Sequence, residues 1–137
     1  MVMFDAINTS GTGLTVYRTW VDAIANNIAN VNDVSPTSGA AFQAQYVQAQ
    51  PVEAGPDGVG HGVEMTGLKT SSANGIPTYD PQNPLADANG YVRRPDIDMG
   101  EQMGNLIMAQ RAFEANANLV DREAEVYKSA IDIGKGV

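Results

Sequence analysis

The sequence contains no cysteine and a single histidine, His61. Disulfides and thiolate metal sites are thereby excluded, and the chain can cross an oxidising compartment without mispairing. A lone histidine with no cysteine near it reads as a loop residue sooner than as a metal ligand. Basic residues are scarce as well: eight Lys and Arg stand against sixteen Asp and Glu, a formal net charge of −8. That balance removes the electrostatic footprint of a nucleic-acid binder, and an anionic membrane would repel it. Long hydrophobic runs are missing, and no positive charge precedes Arg18. Neither a secretory signal peptide nor a membrane span is predicted, so export would have to use a route that leaves the chain uncleaved. The 137 residues suffice for one ordinary domain, or for two long helices and a small insertion.

What is present is periodic at both ends. Met3, Ile7, Ser10, Leu14, Tyr17, Val21, Ile24, Ile28 and Val31 follow one another at steps of four and three, and only Ser10 interrupts the apolar seam. This is the heptad period of a helix packed lengthwise on another helix. Gly11 and Gly13 weaken its start, which places the secure part from Leu14 onward. At about 1.5 Å per residue, a helix from Phe4 to Asn30 would be roughly 40 Å long, too long for the core of so small a protein. Met99, Met103, Leu106, Gln110, Phe113, Ala117, Val120, Ala124, Tyr127 and Ile131 repeat the pattern, which ends before Gly134 and Gly136. The predicted architecture is mainly α with a small β-rich insertion. Residues 1–31 form an N-terminal helix, 32–98 a partly β insertion with loops, and 99–137 a C-terminal helix, the two heptad helices pairing as a coiled coil.

The middle segment is rich in Gly, Pro, Ser, Thr and Gln, and its turn residues exclude long helices. Phe42, Ala44 and Tyr46 alternate with Gln43 and Gln45, after which Val47 and Ala49 take the opposite phase, as in a strand carrying a bulge near Tyr46. Val63 and Met65, followed by Leu68 in the other phase, suggest a second strand. Pro77 restricts Ile76 to Tyr79 to an edge strand or loop. The segment carries about five net negative charges, which favours a solvated surface.

Catalytic or ligand-binding patterns do not emerge. Gly55, Gly58, Gly60 and Gly62 miss the dinucleotide-binding spacing because Val63 stands where the last glycine belongs, and they read as a flexible loop. Asp87, Asn89, Gly90 and Asp96 fit four positions of a calcium loop, but Leu85 fills the first, so a turn is predicted there. Carboxylates are scattered without fixed geometry. The expectation is a non-enzymatic chain with no metal or cofactor.

More informative is a helix face without charge. From Ala23 to Asn32 no residue is ionisable, and Ala23, Asn26 and Asn30 lie opposite the seam, where an exposed coiled coil carries Lys and Glu. This face is predicted to be buried against neighbouring copies, Ala permitting close approach and Asn offering both donor and acceptor. An ordinary polar face built from poor helix formers is the alternative.

At these residues a family resemblance emerges. Ser10-Gly11-Thr12-Gly13-Leu14-Thr15 and the run Asp22-Ala23-Ile24-Ala25-Asn26-Asn27-Ile28-Ala29-Asn30-Val31-Asn32 closely resemble the N-terminal signature of flagellar rod and hook proteins. Ala109-Gln110-Arg111-Ala112-Phe113-Glu114-Ala115-Asn116 resembles their C-terminal run. Tyr79-Asp80-Pro81, Ala86 to Val92 and Arg94 to Asp98 are most similar to the proximal-rod C-type branch of the flagellar basal-body rod family. Two departures stand out: Asp33-Val34-Ser35 replaces the usual exit from the first helix, and Trp20 replaces a smaller or basic residue.

The resemblance implies a structural subunit of the bacterial basal body. Family members pass unfolded through the flagellar export apparatus and assemble in the periplasm as a helical tube that transmits torque. The implied partners are other copies, other rod subunits, and the inner-membrane ring and rod adaptor proteins. The candidate assembly interface comprises Leu14, Tyr17, Val21, Ile24, Asn26, Asn27, Ile28, Asn30 and Val31 on the first helix. On the second it comprises Met103, Leu106, Arg111, Phe113, Glu114, Asn116, Val120, Tyr127 and Ile131. Two rival readings stay open: a non-polymerising adaptor or different rod subunit, and a wall-acting hydrolase. The middle segment is short for the latter and lacks a recognisable carboxylate site.

Overall fold

The computed structural model describes residues 2–53 and 60–136. Its elements run α1 (Val2–Ala29), β1 (Ser35–Pro36), β2 (Gln45–Pro51), β3 (Val63–Thr70), β4 (Ile76–Tyr79), β5 (Tyr91–Arg94) and α2 (Met99–Lys135). Two long helices thus flank a small antiparallel β region, as the periodicity predicts.

α1 passes straight through both of its early glycines rather than becoming secure only at Leu14. Each glycine costs a helix about 1 kcal/mol relative to Ala, and packing overrides that cost. A Cβ on Gly13 would stand 3.0 Å from Asn116 Oδ1, so the missing side chain is what lets α2 approach. Gly11 meets nothing within 4 Å. The helix closes in a turn in which the Asn30 amide reaches the carbonyls of Asn26 and Asn27, each at 3.2 Å.

α2 starts at a cap legible in its chemistry. Asp98 sits in extended backbone and its carboxylate accepts the Glu101 amide at 3.0 Å, satisfying one of the donors a helix start leaves free. The helix continues through Gly134 to Lys135, beyond the stop expected before that glycine. Gly13 lies beside Asn116, and Asn27 beside Gln102. The spacing is the same on both helices and opposite in sense, so the pair is antiparallel. Carried back along α1, that register sets Val2 near Tyr127, and the last turns of α2 project past their partner.

β2 and β3 pair from Gln45↔Thr70 to Pro51↔Val63. The irregularity predicted near Tyr46 lies elsewhere: Gln48 opposes Gly67 and Ala49 opposes Met65, so Thr66 is the extra residue and the bulge belongs to β3. The phase change between Met65 and Leu68 is its trace in the sequence. The apparent phase change at Tyr46 has another cause. Ala41 and Ala44 are buried ahead of the strand, and β2 begins only at Gln45.

The second sheet has the order β1-β5-β4. β4 is an edge strand despite Pro77, which pairs opposite Arg93. The turn predicted at Asp87 joins this sheet: Asp87 accepts the amides of Asn89 at 2.9 Å and Tyr91 at 3.0 Å, and Gly90 turns with φ +82. Among the described residues, the buried apolar side chains are Ala23, Ile24, Ala41, Ala44, Val92 and Ala109. Four of the six are alanine, so the core removes little apolar area from water.

Candidate assembly site

The site is the helix pair together with the root of the β2–β3 hairpin, and its centre is polar. Asn27 is fully buried, and its amide does the work of a missing β-strand neighbour: Oδ1 accepts the Gln45 amide at 2.8 Å, and Nδ2 donates to the Gln45 carbonyl at 2.9 Å. The same Nδ2 donates to Gln102 Oε1 at 3.0 Å. One side chain therefore ties α1 to α2 and to the start of β2. Around it, the Ser71 amide donates to the Ala44 carbonyl at 2.9 Å, and Gln43 Nε2 donates to the Ser71 carbonyl at 2.7 Å. Tyr46 lies within the field of the same junction. Burial pushes its phenol pKa up, and the charges of Glu101 and Asp96 push it further.

This geometry corrects the sequence reading of the charge-free face. Ala23 and Asn27 are not held in reserve for another copy; the chain's own hairpin and α2 cover them. Asn26 is exposed and Asn30 half-buried on the outer side of α1. Their side chains bond to each other at 2.7 Å, and Asn30 Nδ2 also donates to the Asn26 carbonyl at 2.8 Å.

A second tie pins the far end of the hairpin. Thr12 Oγ1 donates to the Thr9 carbonyl at 2.7 Å and accepts the Val63 amide at 3.1 Å. Gly62 has φ +100 beside it, and a Cβ there would collide with Thr12 Oγ1. Gly62 is therefore a fitted residue, not part of a flexible loop. Gly60 is exposed, and Gly55 and Gly58 lie outside the described residues.

The remaining interface candidates divide by exposure. Ile24 is buried, and Leu14, Tyr17, Val21, Ile28, Asn30, Val31, Leu106, Phe113, Asn116 and Val120 are half-buried along the pair. Met103, Arg111, Glu114, Tyr127 and Ile131 are exposed, as is Asn26. The side chain of Met3 lies outside the described residues. On α2 the face toward α1 is rotated from the predicted seam by about one residue: Gln102 and Ala109 are buried, whereas Met103 and Gln110 face out. The heptad count followed the apolar residues, and Met103, Tyr127 and Ile131 among them are exposed.

Apolar residues of α2 outside that count form the other half of the site. Met108, Leu119, Val126 and Ile133 are all exposed, Ile133 by 73%. Their spacing aligns them on one side of α2. α2 packs on α1 and on no described strand, so no described element covers this line. On α1 an open apolar groove runs beneath the hairpin, lined by Val16, Tyr17, Trp20, Val47, Ala49 and Val63. It supplies a setting for Trp20, whose ring lies 6.2 Å from that of Tyr17. Sequence reasoning missed the groove because half of its lining comes from the hairpin. Among the described residues no helix is long and apolar enough to cross a membrane.

The chain is similar to known proteins over nearly its whole length. Residues 88–133 match the model for the flagellar basal body rod FlgEFG protein C-terminal family. The chain is 31% identical to the flagellar basal-body rod protein FlgC of Borreliella burgdorferi, across 99% of this chain and 100% of that one. It is 30% identical to the protein of that name from Salmonella typhimurium, across 98% of this chain and all of the other. For the one from Bacillus subtilis the identity is 26%, again over 98% of this chain and the full length of the relative.

Proposed function

The chain belongs to the FlgC family of flagellar basal-body rod proteins, and on that premise we propose that it self-assembles with other rod subunits into the helical shaft that carries torque. It is a structural component of the basal body. The observation that carries the assembling role is the uncovered apolar line on α2, from Met108 to Ile133. A helix that ended its work within the monomer would carry polar residues there. The thin, alanine-rich core supports the same reading, because such a chain gains most of its stability from neighbours.

The shaft needs stiffness, and the two ties described above supply it. Asn27 holds hairpin and helix pair together at one end, and Thr12 holds the hairpin to α1 at the other. The hairpin is thereby fixed to the helices and moves with them. Export as an unfolded chain through the flagellar apparatus, without disulfide chemistry, fits the absence of cysteine. Partners on this reading are other copies, other rod subunits, the inner-membrane ring and rod adaptor proteins.

The test is complementation of a strain lacking its own FlgC, with complete hook-basal bodies counted by electron microscopy. The wild-type chain should restore them, and Leu119→Asp should not, although its far-ultraviolet circular dichroism should match wild type. Restoration by Leu119→Asp would separate the apolar line from assembly.

A further inference from the structure

We propose that the outer edge of β3 pairs with the same edge of a second copy, antiparallel about a two-fold axis, so that two hairpins join into one four-stranded sheet. A strand at a sheet edge leaves a row of backbone amides and carbonyls open to another chain. The described edges are not equally open. β1 is two residues long and ends in Pro36, and β4 carries Pro77. β2 has the amide and carbonyl of its first residue taken by the Asn27 side chain, and it ends in Pro51. β3 runs for eight residues without a proline, and among the described elements it pairs with β2 alone. Only its first amide, that of Val63, is engaged elsewhere, by Thr12.

The bulge makes this edge self-complementary. Residues directly opposite in a sheet share a face. Ala49 opposes Met65 and Val47 opposes Leu68, and Val47 and Ala49 stand two apart on β2. Met65 and Leu68 therefore point the same way, which a spacing of three in an unbroken strand would forbid. That face looks toward α1: Met65 lines an open cleft with Thr12, Thr15 and Val16, and Leu68 another with Thr19, Ala23 and Asn26. Glu64 and Lys69, opposite Gln50 and Tyr46, share the other face.

Charge and side-chain type fix the partner and the alignment. With the axis between Thr66 and Gly67, Glu64 stands opposite the partner's Lys69 and Met65 opposite the partner's Leu68. Each pair keeps to one face, and the symmetry makes each twice. Met65 and Leu68, exposed in the single chain, cover one another. A parallel alignment in register sets Glu64 against the partner's Glu64, and like charges directly opposite repel. An antiparallel slip of two residues in either direction parts both pairs. The contact is isologous and closes after two copies, so it shields the edge in the free chain. Its two members point in opposite senses, so the pair has to part before a copy enters a shaft of repeating contacts; that last step rests on the rod-subunit reading above.

The test takes the full-length chain from dilute to concentrated solution, with sedimentation velocity recording association and amide hydrogen exchange recording β3. The expected result is a dimer in which the β3 amides that face away from β2 exchange more slowly than in the monomer. Glu64→Lys and Lys69→Glu should each lose the dimer over the same concentrations, and the two together should restore it, which a merely misfolded variant cannot do. Leu119→Asp, on the apolar line of α2, should keep it. A chain that stays monomeric throughout overturns the pairing. So does association without added protection in β3, a dimer kept by both single charge reversals, a double reversal no better than the singles, or a dimer lost in Leu119→Asp. Each of these leaves the rod function to the complementation experiment, where failure of the wild-type chain would count against that function instead.

Discussion

Asn27 and Gln102 meet across the helix pair through a 3.0 Å hydrogen bond, with both side chains buried to within 1% of full enclosure. This contact gives the seam specificity. Its other buried members include Ser10, Ala23 and Ala109, and such small residues pack almost as well one turn out of place. A single buried polar pair in a helix interface specifies its register.

Asn27→Lys should therefore damage the folded monomer itself, before any question of assembly. The substitution removes the partners of Gln45 and Gln102 and buries a charge, at a cost on the order of 3–5 kcal/mol. Asn30→Lys should leave the monomer nearly unchanged, because that side chain bonds only within its own helix. Urea midpoints for the two variants check this; equal midpoints would refute the tie.

The two early glycines of α1 should respond in opposite directions. Gly11 faces open space, so Gly11→Ala should stabilise by about 0.5–1 kcal/mol. Gly13 faces Asn116 at close range, so Gly13→Leu should destabilise by roughly 1–3 kcal/mol through overpacking. Thermal melts of both variants against wild type decide the matter.

How much of this was legible in the sequence depends on whether a signal repeats. The helices announce themselves because apolar residues recur over many turns, and the β4 edge because proline is confined to few places in a sheet. β1 and β5 did not, since Ser35-Pro36 and Tyr91-Val92-Arg93-Arg94 are too short to show alternation. Asn27 misled for a different reason. Its partners are a strand backbone and a side chain on the opposite helix, contacts that no local period encodes. Its uncharged surroundings spoke of burial without saying by whom.

Gly62 should tolerate no side chain. Gly62→Ala meets both the left-handed backbone and the Thr12 hydroxyl, and it should loosen the hairpin from α1. Thr12→Val should act similarly by leaving the Val63 amide without its acceptor, at about 1–3 kcal/mol. Amide hydrogen exchange at Val63 is the readout, and protection equal to wild type in both variants would dismiss the tie. Shortening the glycine segment is expected to be tolerated only where Gly62 is kept.

Acid should act on the turn at Asp87. The Tyr91 amide above all holds this carboxyl below the usual carboxylate range, burial opposes it, and the Asn89 amide, Thr37 hydroxyl and Gly90 amide add to the lowering. The folded state thus binds the proton less readily than the unfolded chain. The stabilisation is complete above the ordinary Asp range and is lost as pH falls through the lowered value. Asp87→Asn should weaken the turn at neutral pH and flatten the acid limb of stability below about pH 4. Urea unfolding across that range would show an unchanged limb if the hydrogen bonds were unimportant.

The unequal lengths of the helices give the molecule a head and a tail. At one end α1 and α2 finish together near Asn27 and Gln102; at the other α2 continues alone. Contacts between unlike ends repeat along a line wherever their rotation does not close a ring. A shaft built from such units has two different tips, so the next subunit to arrive finds one kind of surface at the growing tip and a different kind at the base. Growth outward in a single sense then needs no separate instruction, because the shape of each part already distinguishes the way in from the way out.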